Sequence, residues 1–272
     1  MKKLARTIFV LALAPAVAFA SPSGSPAKSN KTAKAAGPKP VLVELFTSEG
    51  CSDCPPADKF LQALAVHQLV PGAEIIPIEE HVTYWNHQGW FDPYSSEQWT
   101  QRQVAYAREF NQKQVYSPEM VVDGTSGFAG NNATDAEMAI QQAAAQPETI
   151  VSLHPGKLDR GRSLRAEVAI GRIVGDKSGA AVGIWLGVTE SGLVNSVTAG
   201  ENKGRVLRQA AVLRSLRKIG VVKPGPRSES FQADPVVKFN SHWKLKNLQL
   251  VVFLQDEKNL RILGAASAPV LH

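Results

Sequence analysis

Cys51 and Cys54 are the only two cysteines among 272 residues, and they stand two residues apart in the run TSEGCSDCPP over 47–56. A Cys-x-x-Cys pair can do three things. It can cycle between dithiol and disulfide through a mixed disulfide, hold a soft metal with two thiolates, or brace a loop. Count excludes a four-cysteine zinc site, and the histidines do not supply the paired spacing of a Cys2His2 site. A Cu(I) site using both thiolates with His81 or His87 stays open, because soft thiolates suit that ion. As a brace the pair is weak, since so short a loop removes little entropy from the unfolded chain. Redox exchange is the leading reading. Cys51, at the N-terminal position, is expected to be the more exposed, attacking thiolate, with Cys54 as the resolving thiol.

The setting of the pair favours thiolate chemistry. Val41-Leu-Val-Glu-Leu-Phe46 is a nearly continuous apolar run, as expected of a strand covered on both faces. After the cysteines, Pro55 and Pro56 fit the first turn of a helix, where a missing N–H costs nothing. Phe60, Leu61, Leu64 and Ala65 then recur at helical spacing as far as Pro71-Gly72. Backbone N–H groups and the positive end of a helix dipole lower a neighbouring thiol pKa. Asp53, between the cysteines, opposes this by like charge and makes the pair more reducing than a neutral insert would.

Downstream, Glu74 to Val82 is read as a second strand, Glu97 to Gln112 as a helix, Met120 to Gly130 as a hairpin and Thr134 to Gln146 as a helix. Alternating strands and helices predict an α/β domain over 41–147. Beyond Pro147 the pattern turns to strands, at Thr149–Leu153, Ser163–Val174, Ala180–Thr189 and Leu248–Leu254. Leu164, Ala166, Val168 and Ile170 alternate there with Arg165, Glu167 and Ala169, which predicts a second, β-sandwich-like domain over 148–272. One helix is expected within it, Val206 to Ile219. Its basic residues, with Lys203 and Arg205, form either a solvated face or a phosphate or partner site at Lys203, Arg205, Arg208, Arg214 and Arg217.

The chain opens with a basic, then apolar, then small-residue pattern over residues 1–20, ending Ala18-Phe19-Ala20. This reads as a secretory signal peptide and places the protein in the periplasm or outside the cell. No span long enough to cross a membrane is expected. Oxidising compartments let disulfides persist, so the pair is expected to be oxidised at rest. Residues 21–40 are rich in Ser, Pro, Ala, Gly and Lys and read as a disordered linker. The formal charge of +6 comes from the ends: seven basic residues and no acid lie in the first 40, leaving 23 basic against 24 acidic residues in the body. The basic balance is therefore no argument for nucleic acid.

The order strand, Cys-x-x-Cys, helix, and later Tyr116-Ser117-Pro118 before a strand, resembles the thioredoxin fold. The runs VELFTSEGCSDCPPAD, HVTYWNHQGWFDP, RQVAYA, VYSPEMVVDG, ENKGRVLRQAAVLRSLRKIG and LGAA resemble, in order over about 41–268, the secreted family known as domain of unknown function 1223. The resemblance implies a thioredoxin-like domain with a C-terminal β-sandwich-like domain, and a cis-proline, Pro118, facing the cysteines. It also implies a buried acid near the pair. Glu44, one residue further from Cys51 than is usual, fills that role if the Thr47–Gly50 turn absorbs the difference; otherwise it is a sheet-edge or salt-bridged acid. Tyr116, Ser117, His81 and Trp85, with Tyr84 and Trp90, are the expected substrate surface, against the alternative that the aromatics only pack the loop. The expected activity is exported thiol-disulfide exchange on protein or small thiol substrates, reductive or isomerising, with no cofactor and no metal. The rival is a non-enzymatic binding or assembly protein, with Cu(I) as its ligand in one form.

Overall fold

The computed structural model describes residues 37–223 and 230–271; the expected leader and linker residues 21–36 lie outside them. The first strand, β1 (Lys39–Thr47), begins two residues inside the expected linker. It is followed by α1 (Cys54–His67), β2 (Ala73–His81), α2 (Glu97–Glu109), the hairpin β3 (Glu119–Val122) and β4 (Ser126–Ala129), and α3 (Ala133–Ala144). These match the expected elements to within a few residues. The remaining strands are β5 (Val151–Pro155), β6 (Ser163–Ile170), β7 (Val182–Glu190), β8 (Leu193–Ser196), β9 (Val206–Gln209), β10 (Val212–Val222), β11 (Phe231–Ala233), β12 (Val236–Lys238), β13 (Leu248–Asp256) and β14 (Ile262–Pro269).

This is a mixed α/β architecture with a large central sheet and few helices. Eight strands lie in the order β14-β13-β7-β10-β2-β1-β3-β4. The parity of β1 divides the centre in two. Val41, Val43 and Leu45 pack under α1 and α3 against Leu61, Leu64 and Ile140. Leu42 and Phe46 face the other side, toward Trp99 and Tyr106 of α2.

The change of texture after Pro147 is not a boundary in this sheet. From Gly37 onward the contacts form one compact unit, and β10 joins β2 in parallel with Val212 opposite Glu79. The sandwich texture has a real source all the same. β6, flanked by β5 on one side and β11 and β12 on the other, lays Leu164, Ala166, Val168 and Ile170 on Ile184, Leu250 and Leu254 of the large sheet.

The expected helix over 206–219 is two strands. β9 pairs with β8, Ala211 turns the corner at φ 58°, and β10 pairs with β7 through bulges at Leu213/Ser215 and Lys218/Gly220. Each bulge adds a residue and resets the in-out alternation. Inward residues such as Leu213 and Leu216 therefore fall three apart and imitate a helical stripe. The basic residues do not form one face: Arg214 pairs with Glu190 at 3.5 Å, Arg217 donates to the Val236 carbonyl at 2.7 Å, and Arg208 is exposed.

The β3–β4 turn is closely fitted. Gly124 has φ 61° and a Cβ there would run into the Leu260 carbonyl oxygen. Gly124→Ala is expected to cost roughly 2 to 4 kcal/mol through left-handed strain and collision with backbone, measured as a fall in the urea midpoint at unchanged slope.

Candidate functional site

Where β1 ends, the chain makes a tight loop closed by its own backbone. Cys51 N–H donates to the Ser48 carbonyl at 3.2 Å, and Cys54 N–H donates to the Cys51 carbonyl at 3.3 Å. The two cysteines form a disulfide with Cα atoms 5.4 Å apart. Cys54 is the first residue of α1, with Pro55 and Pro56 following it in the first turn. The helix dipole and first-turn N–H groups thus favour a thiolate here once the bond is reduced.

Facing this loop is the segment before β3. The Ser117–Pro118 peptide is cis, and the Ser117 carbonyl oxygen lies 3.8 Å from Cys51 Sγ. Trp85 Nε1 donates to Ser117 Oγ at 2.6 Å, and a Cβ on Gly50 would come within 3.1 Å of Trp85 Cβ. The Tyr116 carbonyl accepts from Gln103 Nε2 at 2.6 Å. Cys51, Cys54, Tyr116, Ser117, Pro118 and Trp85 are therefore gathered at one place.

The expectation of an exposed Cys51 is corrected: Cys51 is 1% exposed and Cys54 0%. A loop from the other half of the chain is bonded to the cysteine loop. Asn202, fully buried between β8 and β9, donates from Nδ2 to the carbonyls of Glu49 at 2.9 Å and Cys51 at 2.8 Å. Ser52 N–H donates to Glu201 Oε2 at 3.2 Å, and Asn195 Nδ2 donates to Glu49 Oε1 at 2.9 Å. Asn202 lies in ENKG, just before the expected helix over 206–219, and its local sequence carried no hint of a contact 151 residues away.

Glu44 does not serve the cysteines. It sits on the α2 side of β1, where it accepts from Arg102 Nε at 2.7 Å and Tyr106 Oη at 2.6 Å. The Thr47–Gly50 turn does not absorb the difference in spacing, because β1 pairs with β2 residue for residue to Thr47 opposite His81. A one-residue offset in a strand places the side chain on the opposite face.

The acid on the cysteine side is Asp58, which sequence reasoning passed over. It lies four residues after Cys54 on α1, hence on the same helix face, and accepts from Thr47 Oγ1 at 2.6 Å. The spacing CxxCxxxD is visible in the sequence, but its burial is not. Burial, then the charge of Glu79, holds the Asp58 carboxyl well above its usual range.

Behind it, His81 lies fully buried, not on a substrate surface as expected. Its Nδ1 is 2.7 Å from Asp92 Oδ2 and its Nε2 3.5 Å from Glu79 Oε2. Burial works to lower the His81 pKa, but the Asp92 and Glu79 carboxylates override it and hold the ring well above its ordinary value. Glu79 is itself raised by burial. The order is thus Asp58, Glu79, His81, Asp92. With both ring nitrogens turned to carboxylates, His81 is poorly set to complete a copper site, and His87 is exposed on the following loop. Among the described residues no group of three or more His, Cys, Asp and Glu is placed to hold a metal.

Among known proteins, the family described as "Protein of unknown function (DUF1223)" matches residues 42–255. No curated protein matches the chain. A crystal structure of an Agrobacterium tumefaciens protein is similar at 21% identity and TM-score 0.64, covering 87% of this chain and 96% of that one. HBP35 of Porphyromonas gingivalis is similar at 17% identity and TM-score 0.63, covering 87% of this chain and 77% of that one. At these identities the likeness is one of fold. Among the described residues no helix is long and apolar enough to cross a membrane.

Two outcomes follow from the buried groups. Asn202→Ala leaves two carbonyls of the cysteine loop without their donor, so a loss of about 2 kcal/mol is expected, together with faster reduction of the disulfide by a water-soluble phosphine. Asp58 keeps a proton in the folded chain at pH values where the unfolded chain has lost it, so its contribution to stability falls as pH rises above about 4. Asp58→Asn removes that titration, and urea midpoints measured from about pH 5 to 8 should decline less steeply than in the wild type.

Proposed function

The chain belongs to the DUF1223 family, and we propose that it is an exported thiol-disulfide oxidoreductase with a thioredoxin-like arrangement around Cys51 and Cys54. One observation carries the reading: a Cys-x-x-Cys disulfide at the start of α1, with the carbonyl preceding cis-Pro118 lying 3.8 Å from the Cys51 sulfur. A brace for the loop needs neither a helix N-terminus nor a facing cis-proline segment.

Exchange balances as follows. A substrate thiolate attacks Cys51 Sγ, the Cys51–Cys54 bond breaks, and the electron pair leaves on Cys54. Asp58, whose carboxyl burial holds well above its usual range, delivers a proton to the departing Cys54 sulfur. A second thiolate then attacks the substrate sulfur of the mixed disulfide, releasing a substrate disulfide and the Cys51 thiolate. Run backward, the reduced pair attacks a substrate disulfide and Asp58 takes the Cys54 proton. This is general acid-base work by a carboxyl whose pKa burial has moved toward neutrality.

The direction is reduction or isomerisation. Exposed Asp53 between the sulfurs disfavours, by like charge, the thiolates that a strong oxidant stabilises. Because the cysteines are buried, a substrate enters only after the segments around them open, and such openings commonly set turnover.

Cys54→Ser is expected to accumulate mixed disulfides through Cys51, whereas Cys51→Ser accumulates none. Asp58→Asn should slow insulin reduction in the presence of dithiothreitol by about a hundredfold while leaving the disulfide able to form. The reading is abandoned if Cys54→Ser traps no partner and the wild type neither reduces insulin nor refolds a scrambled disulfide protein. A reduction potential below about −300 mV would also place the pair among structural disulfides.

A further inference from the structure

At the other end of β1, about 26 Å from the cysteine loop at 3.3 Å per residue, a cavity of about 500 Å³ opens. It is walled by the first residues of β1, the end of α2, the β3–β4 turn, the segment after α3 and the β13–β14 turn. Its size falls in the range of small-molecule sites, which pair apolar walls with a few convergent polar groups. The apolar wall is Phe110, Ile262 and Leu263.

The polar groups are of both signs and incompletely matched. Lys39 Nζ is taken by the Gln146 carbonyl at 2.8 Å, and one Asp123 oxygen accepts the Leu42 N–H at 2.8 Å. Arg261 lines the cavity, its Nε is buried without a hydrogen bond, and no carboxylate pairs with its guanidinium among the described residues, so its charge is left without an acceptor. On the acidic side, burial pushes Asp123 up to about 8 and Glu148 up to about 7. Arg261 offsets this only in part for Asp123, and Lys39 only in part for Glu148. The C-terminal end of α3 lines the same wall and adds the negative end of its dipole. A cation near the carboxyls and an anion near Arg261 would complete both halves.

We propose that this cavity binds a small zwitterion, a free amino acid or dipeptide with an aliphatic side chain, its ammonium at Asp123 and Glu148 and its carboxylate at Arg261. Phe110 and Leu263 take the side chain. The site is separate from the cysteines and does not depend on the redox reading.

The test is calorimetric titration of the full-length oxidised protein with leucine and with glycyl-leucine, beside N-acetyl-leucine, which lacks the ammonium, and leucinamide, which lacks the carboxylate. Both zwitterions are expected to bind, and each blocked leucine to bind at least about tenfold more weakly. Glu148→Gln and Arg261→Gln are expected to weaken leucine by a similar factor without changing the far-ultraviolet spectrum. The proposal is overturned if neither zwitterion binds, or if the blocked forms bind as well as leucine. Comparison of the four ligands on the wild type decides the matter even where a variant fails to fold.

Discussion

The parallel pairing of β1 with β2, from Lys39 opposite Ala73 to Thr47 opposite His81, fixes which side of the sheet every central residue serves. The register runs without a bulge. Thr47, Glu79 and His81 therefore lie on the side of α1, while Glu44 and Glu80 lie on the side of α2 with Arg102. A shift of one residue in β2 would turn Glu79 and His81 to the α2 side and Glu80 to the α1 side.

The two sets solve the problem of buried charge differently. On the α2 side Arg102 lies 2.6 Å from Glu44 and 3.3 Å from Glu80, and stacks over Tyr106 and Phe253. A bidentate guanidinium is suited to such a site, although Glu80 remains well above its usual range because burial outweighs Arg102. On the α1 side Glu49, Asp58, Glu79 and Asp92 surround only His81. Burial raises the carboxyls of Glu49, Asp58 and Glu79, while His81 holds Asp92 below its usual range. A carboxyl raised by burial, four residues after Cys54, links the burial pattern to the chemistry proposed for the pair.

The C-terminal half contributes more than a neighbouring module. Through β10 it extends the central sheet, and the Ala210 N–H and Ala211 carbonyl bond the Glu79 side chain and backbone. Through Asn202 it supplies donors to the carbonyls of Glu49 and Cys51. The site is thus assembled from segments about 150 residues apart.

Much was legible before any coordinates. The apolar run of β1, the prolines after Cys54 and the alternation of β6 are local patterns, and local patterns specify elements directly. Ser117-Pro118 and Trp85 came to the cysteines because the order of elements places them there. Three things were not legible. Helical spacing over 206–219 was produced by two bulges and a left-handed Ala211, which no window of sequence distinguishes from a true helix. The choice between Glu44 and Asp58 depended on strand parity carried through a turn. The burial of Cys51 depended on packing between distant segments, among them those of Ser117 and Asn202. By itself the sequence determined the redox-capable pair, its helix and most strands, because those follow from nearest-neighbour chemistry. Tertiary structure alone decided which acid attends the sulfurs and what covers them, because both are settled by long-range pairing and burial.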